Sequence, residues 1–239
     1  MKLSVVIPAY NEERRLPNTL KEVDKYLRDR PYEYEILVVN DGSKDGTAET
    51  VKKLALEIKN LRLIDNKANK GKGGVVRQGM LEARGEIRLF MDADNSTSVS
   101  QVEKMWSEFE KGFSLVIGSR DIKGAKTEVA QPFYRVLLGD IFNLVVQFIL
   151  GLWGIFDTQC GFKAMTAEAA QKILPQCRID RWAFDPEILV IGRKMGYKIK
   201  EVPVHWVNDP ESKVKFKGMV RMLREILEIR WNLITHKYI

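Results

Sequence analysis

Two carboxylates stand one residue apart at Asp92 and Asp94, directly after the apolar run Ile87 to Met91. Hard oxygen ligands at a strand end can hold Mg²⁺ or Mn²⁺ against a pyrophosphate, whose own oxygens complete the coordination shell. Asp-rich strand ends also serve as turns and helix caps, so the chemistry depends on what stands beside them. Leu3 to Glu13 (LSVVIPAYNEE) and Tyr34 to Ser43 (YEILVVNDGS) are two further apolar runs that each stop at a polar turn. Three strand ends therefore carry polar clusters, with Asn11, Asp41 and Asp94 among them.

The pattern of apolar residues predicts strands near 3–9, 34–40, 61–64, 86–91 and 114–118, with helices near 12–29, 46–59, 73–84 and 98–111. Such βαβ alternation implies an α/β fold with a mostly parallel sheet, helices on both faces, and ligands at the carboxyl ends of the strands. Asp45 or Thr47 can cap the helix after the Asp41 turn. The run Asn69 to Gly74 (NKGKGG) lacks the spacing of a phosphate loop, and Val76 stands where a dinucleotide fingerprint needs its last glycine. It reads as a tight turn at a helix start.

Taken together, Val5-Val-Ile-Pro-Ala-Tyr-Asn-Glu12, Asp41-Gly-Ser43 and Asp92-Ala-Asp94 resemble the family 2 inverting glycosyltransferases of the GT-A fold over the first 120 residues. Gly118-Ser-Arg120, Asp157-Thr-Gln-Cys-Gly-Phe-Lys163 and Arg181-Trp-Ala-Phe-Asp-Pro-Glu187 extend the resemblance over nearly the whole chain. They are similar to the dolichyl-phosphate glucosyltransferase and mannosyltransferase group, nearer the glucosyl side. The resemblance implies that Pro8, Tyr10, Glu12 and Asp41 bind a nucleotide; the base stays open between uracil and guanine. It implies that Asp94 ligates Mg²⁺ or Mn²⁺, and that Asp92 ligates it or holds the ribose. Ser96 replaces a glutamine that joins the metal shell in the mannosyltransferases.

The acceptor so implied is a polyprenyl or dolichyl phosphate, already ionised at neutral pH. No side chain then has to remove a proton, which fits a chain with two histidines. Arg120 and Arg135 are the expected phosphate clamps. Gly139 stands where the mannosyltransferases place an assisting serine. Lys72, Asp157 and Gln159 are expected near the sugar, Trp182 or Asp185 on the acceptor side, with Trp182 equally suited to the core, and Lys213 on a phosphate-facing loop.

The 239 residues carry 39 basic and 32 acidic side chains, and +6 of the net +7 falls in residues 120–239. No nucleic-acid module accompanies that charge. A single domain over 1–239 is expected, with a nucleotide-sugar half (1–119) and an acceptor half (120–239). Cys160 and Cys177 are too few and too far apart for a zinc site or a disulfide framework. Met1-Lys2 leads straight into a core strand without a signal-peptide pattern, so the protein is expected on the cytoplasmic face of a membrane.

The membrane enters through Tyr134 to Leu152. This apolar segment is interrupted by Arg135, Asp140, Asn143 and Gln147, which argues against spanning. On a helix, Arg135, Gly139, Asn143 and Gln147 form a narrow polar stripe, leaving a broad apolar face either buried on both sides or laid in lipid headgroups. A second amphipathic helix near the carboxyl end opens with Lys213, Lys215, Lys217, Arg221 and Arg224, suited to anionic headgroups. Rival readings are a GDP-mannose-dependent enzyme, a transferase for a soluble acceptor, and a catalytically silent binding protein.

Overall fold

The computed structural model describes residues 1–128, 133–207 and 216–238, without the side chains of 133–136, 138, 216, 217 and 219. In chain order the elements are β1 (Leu3–Ala9), α1 (Leu16–Arg28), β2 (Tyr34–Asn40), α2 (Thr47–Leu54), β3 (Leu61–Asp65), α3 (Lys72–Glu82), β4 (Ile87–Met91), α4 (Glu103–Glu110) and β5 (Leu115–Ser119). There follow β6 (Lys126–Glu128), α5 (Phe133–Leu150), β7 (Phe162–Thr166), α6 (Ala167–Ile173), α7 (Phe184–Lys194), β8 (Ile199–Pro203), β9 (His205–Val207) and α8 (Phe216–Ile234). The five strands and four helices expected in the first half are all present. The first helix starts at Leu16 because residues 10–15 form a turn, with Asn11 at φ 55° and Pro17 in the first helical turn. Asp45 accepts from the Thr47 amide in the turn that precedes α2, and Thr47 accepts from the amide of Glu12; the N-cap residue is Gly46, and neither side chain caps the helix.

The main sheet has the order β3-β2-β1-β4-β7-β5-β8. β1, β2 and β4 are buried along their whole length, as expected for strands covered on both faces. Val6, Leu37, Val39 and Phe90 face α3, α6 and α7, whereas Val5, Ile7, Val38 and Leu89 face α1, α2 and α4. Alternate residues thus build two cores, one on each side. Truncating fully buried Phe90 to alanine would cost about 3–5 kcal/mol.

β7 runs antiparallel between β4 and β5. Its first residue, Phe162, pairs with Met91, the last of β4. The turn before β7 therefore lies at the carboxyl ends of the parallel strands, and β7 joins the second half of the chain to the same sheet as the first.

α5 and α8 pack against each other. Val146 and Leu150 of α5 are buried and Phe142 packs at the core's edge, while Leu137, Ile141, Leu144 and Phe148, spaced one helical face apart, are exposed, Phe148 by 75%. The helix is not buried on both sides. α8 repeats the pattern, with Met222, Ile226 and Ile229 inward and Val220, Leu223, Leu227, Trp231 and Ile234 outward. No helix among the described residues is long and apolar enough to cross a membrane. Of the polar residues of α5, Asn143 accepts from the Thr158 hydroxyl at 2.9 Å and donates to Asp121 at 3.3 Å, which ties the helix to the turns after β5 and before β7.

Candidate active site

Parallel strands end in step, so their following residues meet along one edge. Tyr10 follows β1, Asp41 follows β2, Asp92 follows β4 and Arg120 follows β5. Pro8 is the penultimate residue of β1, Tyr10 is exposed, and Glu12 is held by Arg15, whose Nε and Nη2 donate to its two oxygens at 2.9 Å each.

Asp41 is nearly buried and accepts from Asn69 Nδ2 (2.8 Å), Lys70 N (2.6 Å) and Gly71 N (3.1 Å). Burial pushes its pKa up against these donors. The carboxylate expected to meet a base thus also anchors the turn that opens α3. The next residue, Lys72, reaches Asp92 at 2.6 Å, so one short turn ties the ends of β2 and β4 together. Gly71 at φ 89° is required there, because a Cβ would strike the backbone at Asp180.

Asp92 packs on the turn before β7, where a Cβ on Gly161 would stand 2.5 Å from Asp92 Cγ. Asp94 accepts from the Ser96 amide at 3.0 Å, and Ser96 O accepts from Val207 N of β9 at 2.8 Å. Burial and the neighbouring Asp92 raise the pKa of Asp94, the mark of two carboxylates crowded together without enough positive charge.

Arg120 and Asp157 form a bidentate pair, Nε to Oδ2 at 2.7 Å and Nη2 to Oδ1 at 2.9 Å. Asp157 is fully buried, and Arg120 outweighs the burial to hold its carboxyl below the usual range. The guanidinium lies 5.4 Å from the Trp206 ring. Glu201 accepts from the amides of Phe156 and Asp157, fixing the turn from below. Asp157 was expected at the sugar; here it holds Arg120. Gln159 is half-buried and donates to Met222 Sδ of α8 at 2.8 Å.

Asp185, expected on the acceptor side, is buried on Lys163 at 2.6 Å. Trp182 is half-buried, packed on the core and 5.6 Å from Lys72 Nζ. Lys213 and the Arg135 side chain lie outside the described residues. Sequence reasoning assigned no part to Lys163 or Gly161. The signal for Lys163 is a lysine inside a short apolar strand; that for Gly161 is a glycine one residue before it begins.

The family model for glycosyl transferase family 2 matches residues 4–174. The chain belongs to glycosyl transferase family 2. Within it, the chain is 40% identical over 237 residues to a dolichyl-phosphate beta-glucosyltransferase of Trichomonas vaginalis, covering 95% of this chain and 72% of the relative. It is 37% identical over 252 residues to that of Homo sapiens, covering 98% and 76%. This glycosyl transferase has the GT-A fold. Mannosyl-3-phosphoglycerate synthase from Rubrobacter xylanophilus superposes with a TM-score of 0.73 at 18% identity, covering 99% of this chain and 75% of that one. Glucosyl-3-phosphoglycerate synthase from Mycobacterium tuberculosis, solved with Mn²⁺, uridine diphosphate and phosphoglyceric acid, gives 0.70 at 18%, covering 100% and 79%.

Among the described residues no three His, Cys, Asp or Glu side chains of the glycosyl transferase converge as a complete metal cage. Asp92 and Asp94 nevertheless suit a hard cation that keeps some ligands from substrate phosphates, and an ammonium already bonds one of them. The donor set fits Mg²⁺ or Mn²⁺.

Proposed function

We propose that this enzyme transfers glucose from UDP-glucose to a dolichyl or polyprenyl phosphate, with inversion, while lying on the cytoplasmic face of a membrane. The observation that carries the reading is the closeness of two unlike surfaces. The anion-handling end of the sheet, with Asp92, Asp94, Lys72 and Arg120, adjoins α5, whose outer face and that of α8 expose a double apolar stripe. A substrate with a phosphate head and a hydrocarbon tail matches both. The names of the relatives and the Mn²⁺–uridine diphosphate complex of a fold neighbour support the donor and the metal.

In this mechanism Asp94 and Asp92 would hold Mg²⁺ or Mn²⁺. When bound, the cation offsets charge on the leaving diphosphate. Lys72 adds a positive charge beside it. Tyr10 and Glu12 flank the nucleotide, and Asp41 keeps the α3 turn in place beneath it. Asp157 orients Arg120, which with Arg135 positions the acceptor phosphate. A phosphate oxygen then attacks the anomeric carbon from the face opposite the diphosphate; the new carbon–oxygen bond forms as that to the diphosphate breaks. No general base is needed, because the nucleophile is already an anion. The positive charge of Lys213 is assigned to the diphosphate by the family resemblance alone. Buried free thiols at Cys160 and Cys177 suit a reducing compartment.

The test is a panel of nucleotide sugars offered with a short polyprenyl phosphate, products separated by mass and the anomer read by NMR. The expected product is β-glucosyl polyprenyl phosphate with UDP released. Preference for GDP-mannose, or transfer only to water-soluble acceptors, would overturn the assignment.

A further inference from the structure

The cation already at the metal site is the ammonium of Lys72, 2.6 Å from Asp92 Oδ1, with side-chain exposures of 23% and 34%. It lies near the faces of Trp182 (5.6 Å) and Phe184 (6.0 Å). Asp92, and beyond it Asp185, face the ammonium with negative charge. Asp185 is bonded to a second lysine: Lys163 Nζ donates to it at 2.6 Å and to the Cys160 carbonyl at 2.6 Å, with both side chains buried. Lys163 thus holds Asp185, and Lys72 bonds Asp92.

Charge counting gives this arrangement a consequence. Asp92 and Asp94 against Lys72 leave one net negative charge, with Asp185 and Lys163 cancelling. A dication alone would invert the balance to net positive and would meet the ammonium at the same carboxylate, where like charges repel strongly at short range. A diphosphate alone would bring further negative charge. The two together return the site near its starting balance and give the displaced ammonium a new anionic partner.

We infer that Lys72 is a resident counter-ion of Asp92 that opposes metal entry to the empty site and passes to the donor's diphosphate when nucleotide and metal arrive together. The inference rests on the nucleotide-sugar reading above. Metal and nucleotide affinities are then coupled through one side chain, and the coupling is reciprocal. Lys163, by holding Asp185, keeps that carboxylate from capturing Lys72 on the way.

The experiment is a titration of the full chain with Mn²⁺, free ion counted by electron paramagnetic resonance, with and without UDP. Wild type, Lys72→Met and Lys70→Met are compared. Lys70 removes the same charge from the neighbouring turn, where its side chain bonds Gln78. Wild type should bind Mn²⁺ weakly alone and tighten with UDP. Lys72→Met should bind Mn²⁺ alone about ten- to a hundredfold tighter, the span of one charge-assisted hydrogen bond, with the UDP enhancement shrinking in proportion. Lys70→Met should follow the wild type. Should the Met variant melt early, Lys72→Gln, uncharged but able to donate to Asp92, reads the same contrast.

Mn²⁺ affinity of Lys72→Met no tighter than wild type would overturn the inference, and so would an equal gain in Lys70→Met, which would reduce the effect to bulk charge. The titration uses neither sugar nor acceptor, so a wrong sugar or lipid in the donor panel leaves its outcome unaffected.

Discussion

Gly161 sits against Asp92 with no room between them for a methyl group: a Cβ on the glycine would stand 2.5 Å from Asp92 Cγ and 2.9 Å from Oδ1. The cause is strand register. Met91 pairs with Phe162, so the residue after β4 and the residue before β7 lie side by side. The antiparallel strand thereby sets one wall of the turn that carries the two carboxylates.

Gly161→Ala should therefore displace Asp92 and slow transfer on the order of a hundredfold, the cost of about 1 Å of misplacement. The strand pairing that follows should survive, so the melting temperature should change little. Steady-state kinetics beside a thermal melt checks this, and wild-type turnover in the alanine variant would refute the wall.

Arg120→Ala should cost stability as well as activity. It strands the fully buried Asp157 carboxylate, and breaking a buried pair from one side costs about 3–5 kcal/mol. Urea unfolding should show that loss, and adding Asp157→Asn to the alanine variant should restore part of the stability but none of the transfer. Equal stability of Arg120→Ala and wild type would mean that the pair does not hold in solution.

Liposome binding should depend on the outward stripes of both α5 and α8. Leu144→Asp with Phe148→Asp, or Leu227→Asp with Trp231→Asp, should each abolish most flotation with anionic vesicles and leave the melting temperature near wild type, because these side chains are exposed. Phe142 is unsuitable for that test since it packs on the core. High salt should release the wild type only in part, because apolar burial is not screened. Full flotation of both double variants would remove the stripes from membrane contact.

Asp121 should make stability fall with pH in mildly acidic solution. Burial first, and then the Asp157 carboxylate, push it from 3.8 to about 6, with Asp140 and Glu201 adding and Arg120 opposing. Because the folded value lies above the unfolded one, its stabilising contribution is complete below pH 3.8 and is lost as pH rises through about 6. Thermal melts across that window should show the wild type declining relative to Asp121→Asn. Asp121 keeps part of its surface exposed, and parallel curves would mean that partial burial and the neighbouring carboxylates do not shift it in solution.

The first half of the chain was legible residue by residue. Strands such as Val5 to Pro8 and Leu37 to Val39 are apolar on both faces, and each ends in a polar turn, so local pattern alone placed Asn11, Asp41 and Asp94 at one edge, while Arg120 entered only through the family resemblance. The breadth of the apolar face of α5 was likewise legible, but only the packing showed that Leu137, Ile141, Leu144 and Phe148 stay exposed and are not buried on both sides. What periodicity could not supply was long-range pairing. That Phe162 to Thr166 inserts antiparallel between β4 and β5 depends on hydrogen bonds to strands 71 to 79 and 46 to 50 residues upstream, and sequence spacing carries no such information. The partners of charged side chains belong to the same class. Lys163 meets Asp185, Lys72 meets Asp92 and Arg120 meets Asp157 only because the sheet brings separate turns within a few ångströms. Residue types along the chain determined that carboxylates and cations would gather at one edge; the tertiary structure decided which of them neutralise one another, since Coulombic pairing depends on distance in space and not along the chain.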